Sequence, residues 1–339
     1  MTKLYELLGQ RPCKGDVGIE IECEGEGLQV VDGVFWRTEN DGSLRGNYPD
    51  EACEWVLKRP IAIGKVDAAI TELIEAQSGR DTKINFSFRT STHVHINVQQ
   101  LEFNEVVNMV YAYLLCETVL MNYCGKSRIG NRFCLRLEDA EGLLEYVSKI
   151  VQGGEKKFLR NNPENQIRYA SINMEALWKY GSLEFRGLEG TLDSERIETW
   201  VGAMASLREF AKKHKDIRSV HDFFVMTSPE QFFDEVIGEF SDAFKYEGFK
   251  DDLRRSFSLT IDLPYSYKEY VPEVKVDGLA EFAKLMRENQ PVNPMDVWPA
   301  AEDALRAPRR NRVVFNLPPP AVEVQARMPV NQLIAEDLQ

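Results

Sequence analysis

Polar and apolar positions alternate through residues 17–28, VGIEIECEGEGL, before the segment ends in glycines. Successive side chains on a strand point to opposite faces, so this period of two predicts a strand. GVFWRTE (33–39) follows after a turn, DGSL (41–44) reads as another turn, and CEWVL (53–57) as a short strand. Strands are predicted again at KINFSFR (83–89), THVHINV (92–98) and GSLEFRGLEG (181–190). The period lengthens to that of a helix over 65–77, 104–124 and 140–151, and the second of these is apolar enough to lie in a core. A further helix is predicted over 194–214, with an Asp/Ser N-cap and a basic last turn that suits the helix dipole. Past about residue 217 the pattern is less regular, with helical stretches near 229–247 and 277–288. The reading is α+β, with antiparallel meanders and helices in one chain.

Three of the strands break the usual rule that polar side chains face bulk water. Glu20 and Glu22, His93 and His95, and Glu184 and Arg186 each occur at i and i+2, with Ile21, Val94 and Phe185 between them. Any one of the three alone is a weak signal: the Glu pair also reads as a solvated face, the His pair as a satisfied structural pair, and Glu184 with Arg186 as a cross-strand salt bridge. Together, and with Asp41, Glu51 and Glu54 nearby, they point to a site. Carboxylates this dense raise one another's pKa unless cations neutralise them, and they are the preferred ligands of Mg²⁺ and Mn²⁺. Mg²⁺ so held keeps positions for water and phosphates, which suggests a nucleoside triphosphate, although no P-loop motif is present.

Charge and cysteine usage narrow the partners. The 339 residues carry a net charge of −13, so nucleic acid is not expected. No apolar run approaches a membrane span and the first residues lack the features of a signal peptide, so a cytoplasmic protein is expected. The six cysteines form no C-x-x-C pair, which argues against a zinc ribbon or a disulfide framework.

The order GIEIEC, DGSL, EACEWVL, THVHIN, SRIGNRFC and RYASINMEALWKYGSLEFRGLEGTLD resembles the amidoligase family of the glutamine synthetase-like carboxylate-amine ligases, over about residues 16–205. The resemblance extends to glutamate-cysteine ligase. It implies a curved antiparallel sheet forming a cup packed by helices, with two or three Mg²⁺ or Mn²⁺ ions between ATP and an acid substrate. Glu22 and Glu54 would hold the ion near the substrate carboxylate, with Asp41 joining them; Glu20, His93 and Glu184 would hold the ion on the ATP phosphates. His95 and Arg186 would contact phosphate, Arg128 and Arg132 would stabilise the transferring phosphoryl group, and Arg168 would bind substrate or pair with a carboxylate. Between Glu51 and Glu54, the strand-like setting of Glu54 is preferred.

The reaction implied is ATP-dependent amide or peptide bond formation through an acyl phosphate, with small-molecule or peptide carboxylates and amines as partners. A guanidino-kinase-like phosphotransferase on the same fold, or an idle binding or scaffold protein, are the alternatives. Residues 1–217 are expected to form the catalytic domain, 218–304 a mostly helical extension and 305–339 a proline-interrupted tail, extended or disordered. Docking of that tail on a neighbouring subunit would make a homo-oligomer.

Overall fold

The computed structural model of the chain describes residues 2–79, 81–160 and 168–265. A short helix, α1 (Leu4–Leu7), precedes β1 (Val17–Glu26), β2 (Trp36–Glu39) and β3 (Ala52–Leu57). Next come α2 (Val66–Ala76), β4 (Lys83–Asn85), β5 (Thr92–Asn97) and the helices α3 (Phe103–Tyr123) and α4 (Glu141–Arg160). They lead to β6 (Ile172–Asn173), the brief α5 (Ala176–Tyr180) and β7 (Ser182–Phe185). Four helices follow: α6 (Ser194–Ala211), α7 (Ile217–Met226), α8 (Pro229–Ile237) and α9 (Phe249–Thr260).

The strands form one open sheet in the order β2-β3-β1-β5-β7-β6, with β4 also beside β1, and each pair is antiparallel. Register explains the two faces. Ile21 lies opposite Trp55, Ile19 opposite Val94, and Val94 opposite Phe185, so these apolar side chains share one side. All are at most 1% exposed. Helices cover that side: Tyr113 of α3 packs on Phe185 with ring centroids 5.2 Å apart, and Trp36 Nε1 donates to the Ala69 carbonyl of α2 at 2.6 Å. Helix α3 is buried along most of its length because α6, α7 and α9 pack around it. The other face of the sheet is left to the polar residues.

Several predicted elements are shorter than the pattern suggested. The strand over 83–89 stops at Asn85, since β1 pairs with β4 only from Glu24 to Glu26 and β5 takes over at Ile21. The chain then turns, with the Thr90 N–H donating to the Ser87 carbonyl at 3.1 Å. Likewise β7 ends at Phe185, as the Arg186 N–H donates to the Ser171 carbonyl (2.8 Å). Helix α4 extends beyond the predicted 140–151 but breaks at Gly154, whose φ of 59° is left-handed. Helix α6 starts as predicted, with the Asp193 carboxylate accepting from the Arg196 N–H at 3.1 Å. The stretch over 229–247 divides into α8 and a 3₁₀ segment, Gly238–Phe244. The predicted helix over 277–288 and the tail lie outside the described residues. Among the described residues no helix is long and apolar enough to cross a membrane.

Candidate metal centre

The strand register sets out the site. On the face away from the helices, Glu39, Glu54 and Glu22 face one another across β2, β3 and β1. Glu20 stands opposite His93, and His95 opposite Glu184, which in turn faces Asn173 of β6. The functional row thus runs diagonally over six strands. Three groups of possible ligand atoms result: Glu22, Asp41 and Glu54; Glu20, Glu54 and His93; and Glu20, His95 and Glu184, the atoms of each lying within 4.8 Å of one another.

These groups differ in one respect from the expected division of roles. His93 groups with Glu20 and Glu54, while His95, expected at phosphate, completes a triad with Glu20 and Glu184. Register is the cause, since Glu184 sits directly across from His95. His93 still reaches Glu184, Nδ1 to Oε1 3.7 Å, so both lie on the same face of the sheet. Glu51 lies outside all three groups; its carboxylate accepts from the Asn47 backbone N–H (2.9 Å) and side-chain amide (2.8 Å).

The electrostatics are those of a buried, crowded set of carboxylates. Burial and the nearby Glu20, Glu22, Asp41 and Glu39 push Glu54 up to about 9. Burial also raises Glu22, against the pull of His93. Burial opposes ionisation of Glu20, yet its contacts with His93 and His95 hold it well below the usual carboxylate range. Burial opposes ionisation of Glu184 as well, but Arg186, His95 and His93 together lower it. His95 is disfavoured as a cation by burial but raised overall by Glu20 and Glu184.

The donor set fits a divalent cation. His95 Nδ1 contacts the Ser182 hydroxyl at 3.1 Å, while Nε2 is buried without a hydrogen bond and lies 3.3 Å from Glu20 Oε1. An imidazole oriented through one nitrogen and presenting the other among carboxylates is the arrangement of a metal-ligating histidine. His93 is similarly oriented, with Nε2 2.7 Å from the Ser91 hydroxyl, which donates to Glu22 Oε2 at 2.5 Å. Asn173 Nδ2 donates to Glu184 Oε2 at 2.8 Å.

Ser91, Ser182 and Asn173 were not among the residues singled out from sequence. For the serines a signal existed: Ser91 precedes His93 by two positions and Ser182 precedes Glu184 by two. Asn173 sits on a two-residue strand, too short for any period to register.

The four arginines separate. Arg186 pairs with Glu184 on the polar face of the sheet, and its Nε donates to the Phe133 carbonyl at 3.3 Å. Arg128, expected to meet the transferring phosphoryl group, does not face the carboxylates as a free donor. It is 0% exposed and donates to the carbonyls of Gly187, Phe88, Thr90 and Arg186 at 2.9–3.5 Å. With its fork committed to backbone, Arg128 holds together the loops that frame the site. Arg132 is exposed, with its guanidinium 4.8 Å from the Phe133 ring, and Arg168 is exposed 5.3 Å from the Tyr169 ring. Neither forms an ion pair with a carboxylate of the three ligand groups among the described residues.

An open antiparallel sheet, helices on one face and a buried array of carboxylates and imidazoles on the other define a mixed α and β protein with a candidate divalent-cation centre. The family profile described as "Putative amidoligase enzyme" matches residues 36–207, just over half of the chain, and the chain belongs to that family of ligase-type enzymes. The match begins at Trp36, so β1 precedes it, although β1 supplies Glu20 and Glu22 from the middle of the sheet. No curated protein matches the sequence.

Proposed function

We propose that the chain is an ATP-dependent carboxylate-amine ligase on a glutamine synthetase-like sheet, forming an amide or peptide bond through an acyl phosphate. The observation that supports this most directly is the convergence of three ligand groups, drawn from β1, β3, β5, β7 and the Asp41 loop, on one face. Two or three Mg²⁺ or Mn²⁺ ions bound there would neutralise phosphate charge and carboxylate charge together.

The chain's own residues then have distinct tasks. Arg186, half-buried and charged, is oriented by Glu184 and by the Phe133 carbonyl, so it can meet charge that develops on the γ-phosphoryl oxygens without first reorganising. Ser91, Ser182 and Asn173 fix the ligand side chains. Arg132 and Arg168 supply positive charge on exposed loops. The substrate carboxylate attacks the γ-phosphorus and ADP leaves; the amine then attacks the acyl carbon and expels phosphate. No protein nucleophile is needed, and burial pushes the Cys116, Cys124 and Cys134 thiols up, away from reactive thiolates.

The test is ADP release from MgATP against pools of amino acids, polyamines and peptides, with the product identified by mass spectrometry. An ¹⁸O-labelled carboxylate should deliver one label to the released phosphate. A phosphoguanidine product, or no ADP release with any pool, overturns the reading.

A further inference from the structure

Glu20 stands between two imidazoles. Its Oε2 lies 3.3 Å from His93 Nδ1 and its Oε1 3.3 Å from His95 Nε2, so the two histidines meet one carboxylate at different oxygens and through different ring nitrogens. Strand geometry brings this about, because His93 faces Glu20 in the register and His95 follows two positions along the same face.

At His93 the choice of nitrogen is set by Ser91. This residue is buried at the entry to β5, where its carbonyl accepts from the Glu22 N–H at 2.9 Å. Its hydroxyl donates to Glu22 Oε2 at 2.5 Å and lies 2.7 Å from His93 Nε2. A serine hydroxyl has a single proton, and a carboxylate that ligates a cation can only accept. The proton is therefore committed to Glu22, and in the second contact His93 Nε2–H donates to Ser91. A neutral imidazole protonated at Nε2 carries its lone pair at Nδ1. Nδ1 and Glu20 Oε2 then oppose each other as two acceptors with no proton to share, an opposition that a cation between them removes.

His95 is turned the other way. Its Nδ1 contacts the Ser182 hydroxyl at 3.1 Å, while Nε2 is buried without a hydrogen-bond partner and is the atom that approaches Glu20. With the residue only 8% exposed, a ring nitrogen left unpaired is costly unless a ligand takes it.

We propose that Glu20 bridges two divalent cations, one at each oxygen, that His93 completes one through Nδ1 and His95 the other through Nε2, and that Ser91 is the positioning residue that fixes the nitrogen His93 uses. This rests on the reading that the centre holds cations. One consequence concerns the group formed by Glu22, Asp41 and Glu54. The His93 nitrogen nearest to it, Nε2 at 3.8 Å from Glu22 Oε1, is occupied by Ser91, so that ion keeps oxygen ligands only. Such a site suits Mg²⁺, whereas the two with imidazole also suit Mn²⁺, which is the probe.

The experiment uses the full chain made with histidine ¹⁵N-labelled either at Nδ1 alone or at Nε2 alone, loaded with equimolar Mn²⁺ while Mg²⁺ fills the remaining sites. Pulsed EPR separates a nitrogen bound directly to Mn²⁺ from the remote nitrogen of the same ring by its much larger hyperfine coupling. In the wild-type protein both labels should show direct coupling. His95→Gln should leave it with the Nδ1 label alone, and His93→Gln with the Nε2 label alone. Added to His95→Gln, Ser91→Ala or Ser91→Gly should abolish the preference for Nδ1 and weaken Mn²⁺ binding by about ten-fold or more, and Ser91→Thr, which keeps the hydroxyl, should retain both. Direct coupling from one label only in the wild-type protein, or from neither, overturns the inference, as does an Nδ1 preference that survives loss of the hydroxyl. The wild-type spectra need no variant to fold. Absence of Mn²⁺ and Mg²⁺ binding overturns the inference and the metal-dependent ligase reading together, whereas bound Mn²⁺ with the wrong nitrogen overturns the inference alone.

Discussion

Glu54 is the side chain whose titration reports most directly on the centre. Its pKa of about 9, against an ordinary 4.5, means that the folded, cation-free protein holds a proton that the unfolded chain releases. A raised carboxylate pKa contributes stability below the unfolded value and loses it as pH climbs to the folded one. Chelated wild-type protein should therefore lose on the order of 2 kcal/mol between pH 7 and 9, as ~1.4 kcal/mol per pH unit dictates. Glu54→Gln should show a shallower decline in thermal melting, and saturating Mg²⁺ should flatten only the wild-type curve. Arg128 and Arg186 call for opposite outcomes. Arg128→Ala strips four carbonyls of their donor and should cost at least ~3 kcal/mol in denaturant titration, with lysine a poor replacement for the fork. Arg186→Ala should leave Mg²⁺ binding in place and lower ADP release by about 10²-fold or more. Wild-type ADP release from that variant contradicts the role proposed for Arg186.

Elements deliver these side chains, and one turn is decisive. Helix α5 ends at Gly181, where φ is +69° and an added Cβ would meet the Gln99 side chain at 2.3 Å. The next residues are Ser182 and Glu184, so the turn places β7 against β5. Gly181→Val should destabilise the fold by ~2 kcal/mol from backbone strain alone and weaken Mg²⁺ binding, measured by melting and by calorimetry. At this scale the sequence was informative wherever a period could repeat. Alternation over 17–26 located β1, and the i, i+2 pairs located the polar faces of β1, β5 and β7. It could not separate donors facing a cup from donors facing backbone. Arg128 and Arg132 look alike in SRIGNRFC, and only the carbonyls that converge on Arg128 distinguish them. The loop after Asn85 was hidden for a related reason: KINFSFR continues a strand-like pattern past that residue, so nothing in it announced a loop.

Over the whole molecule, the ligand set spans β1 to β7 and ends well before the proline-interrupted segment of the sequence, which offers few regularly spaced apolar positions. A chain ending at Leu317 should bind Mg²⁺ and ATP with unchanged affinity; lost binding would show that the removed segment completes the site, and a changed sedimentation coefficient beyond the mass difference would point to subunit docking. Family membership was legible because its motifs are local strings, whereas the diagonal row was not, since it depends on how strands from distant parts of the chain are registered. That row also sets a schedule. β1 emerges early and presents Glu20 and Glu22 at once, but His93 and then Glu184 arrive only as synthesis proceeds, at ~5–20 residues per second. For several seconds a nascent chain holds only part of the ligand set, so on the proposed reading an ion would be captured at the end of assembly.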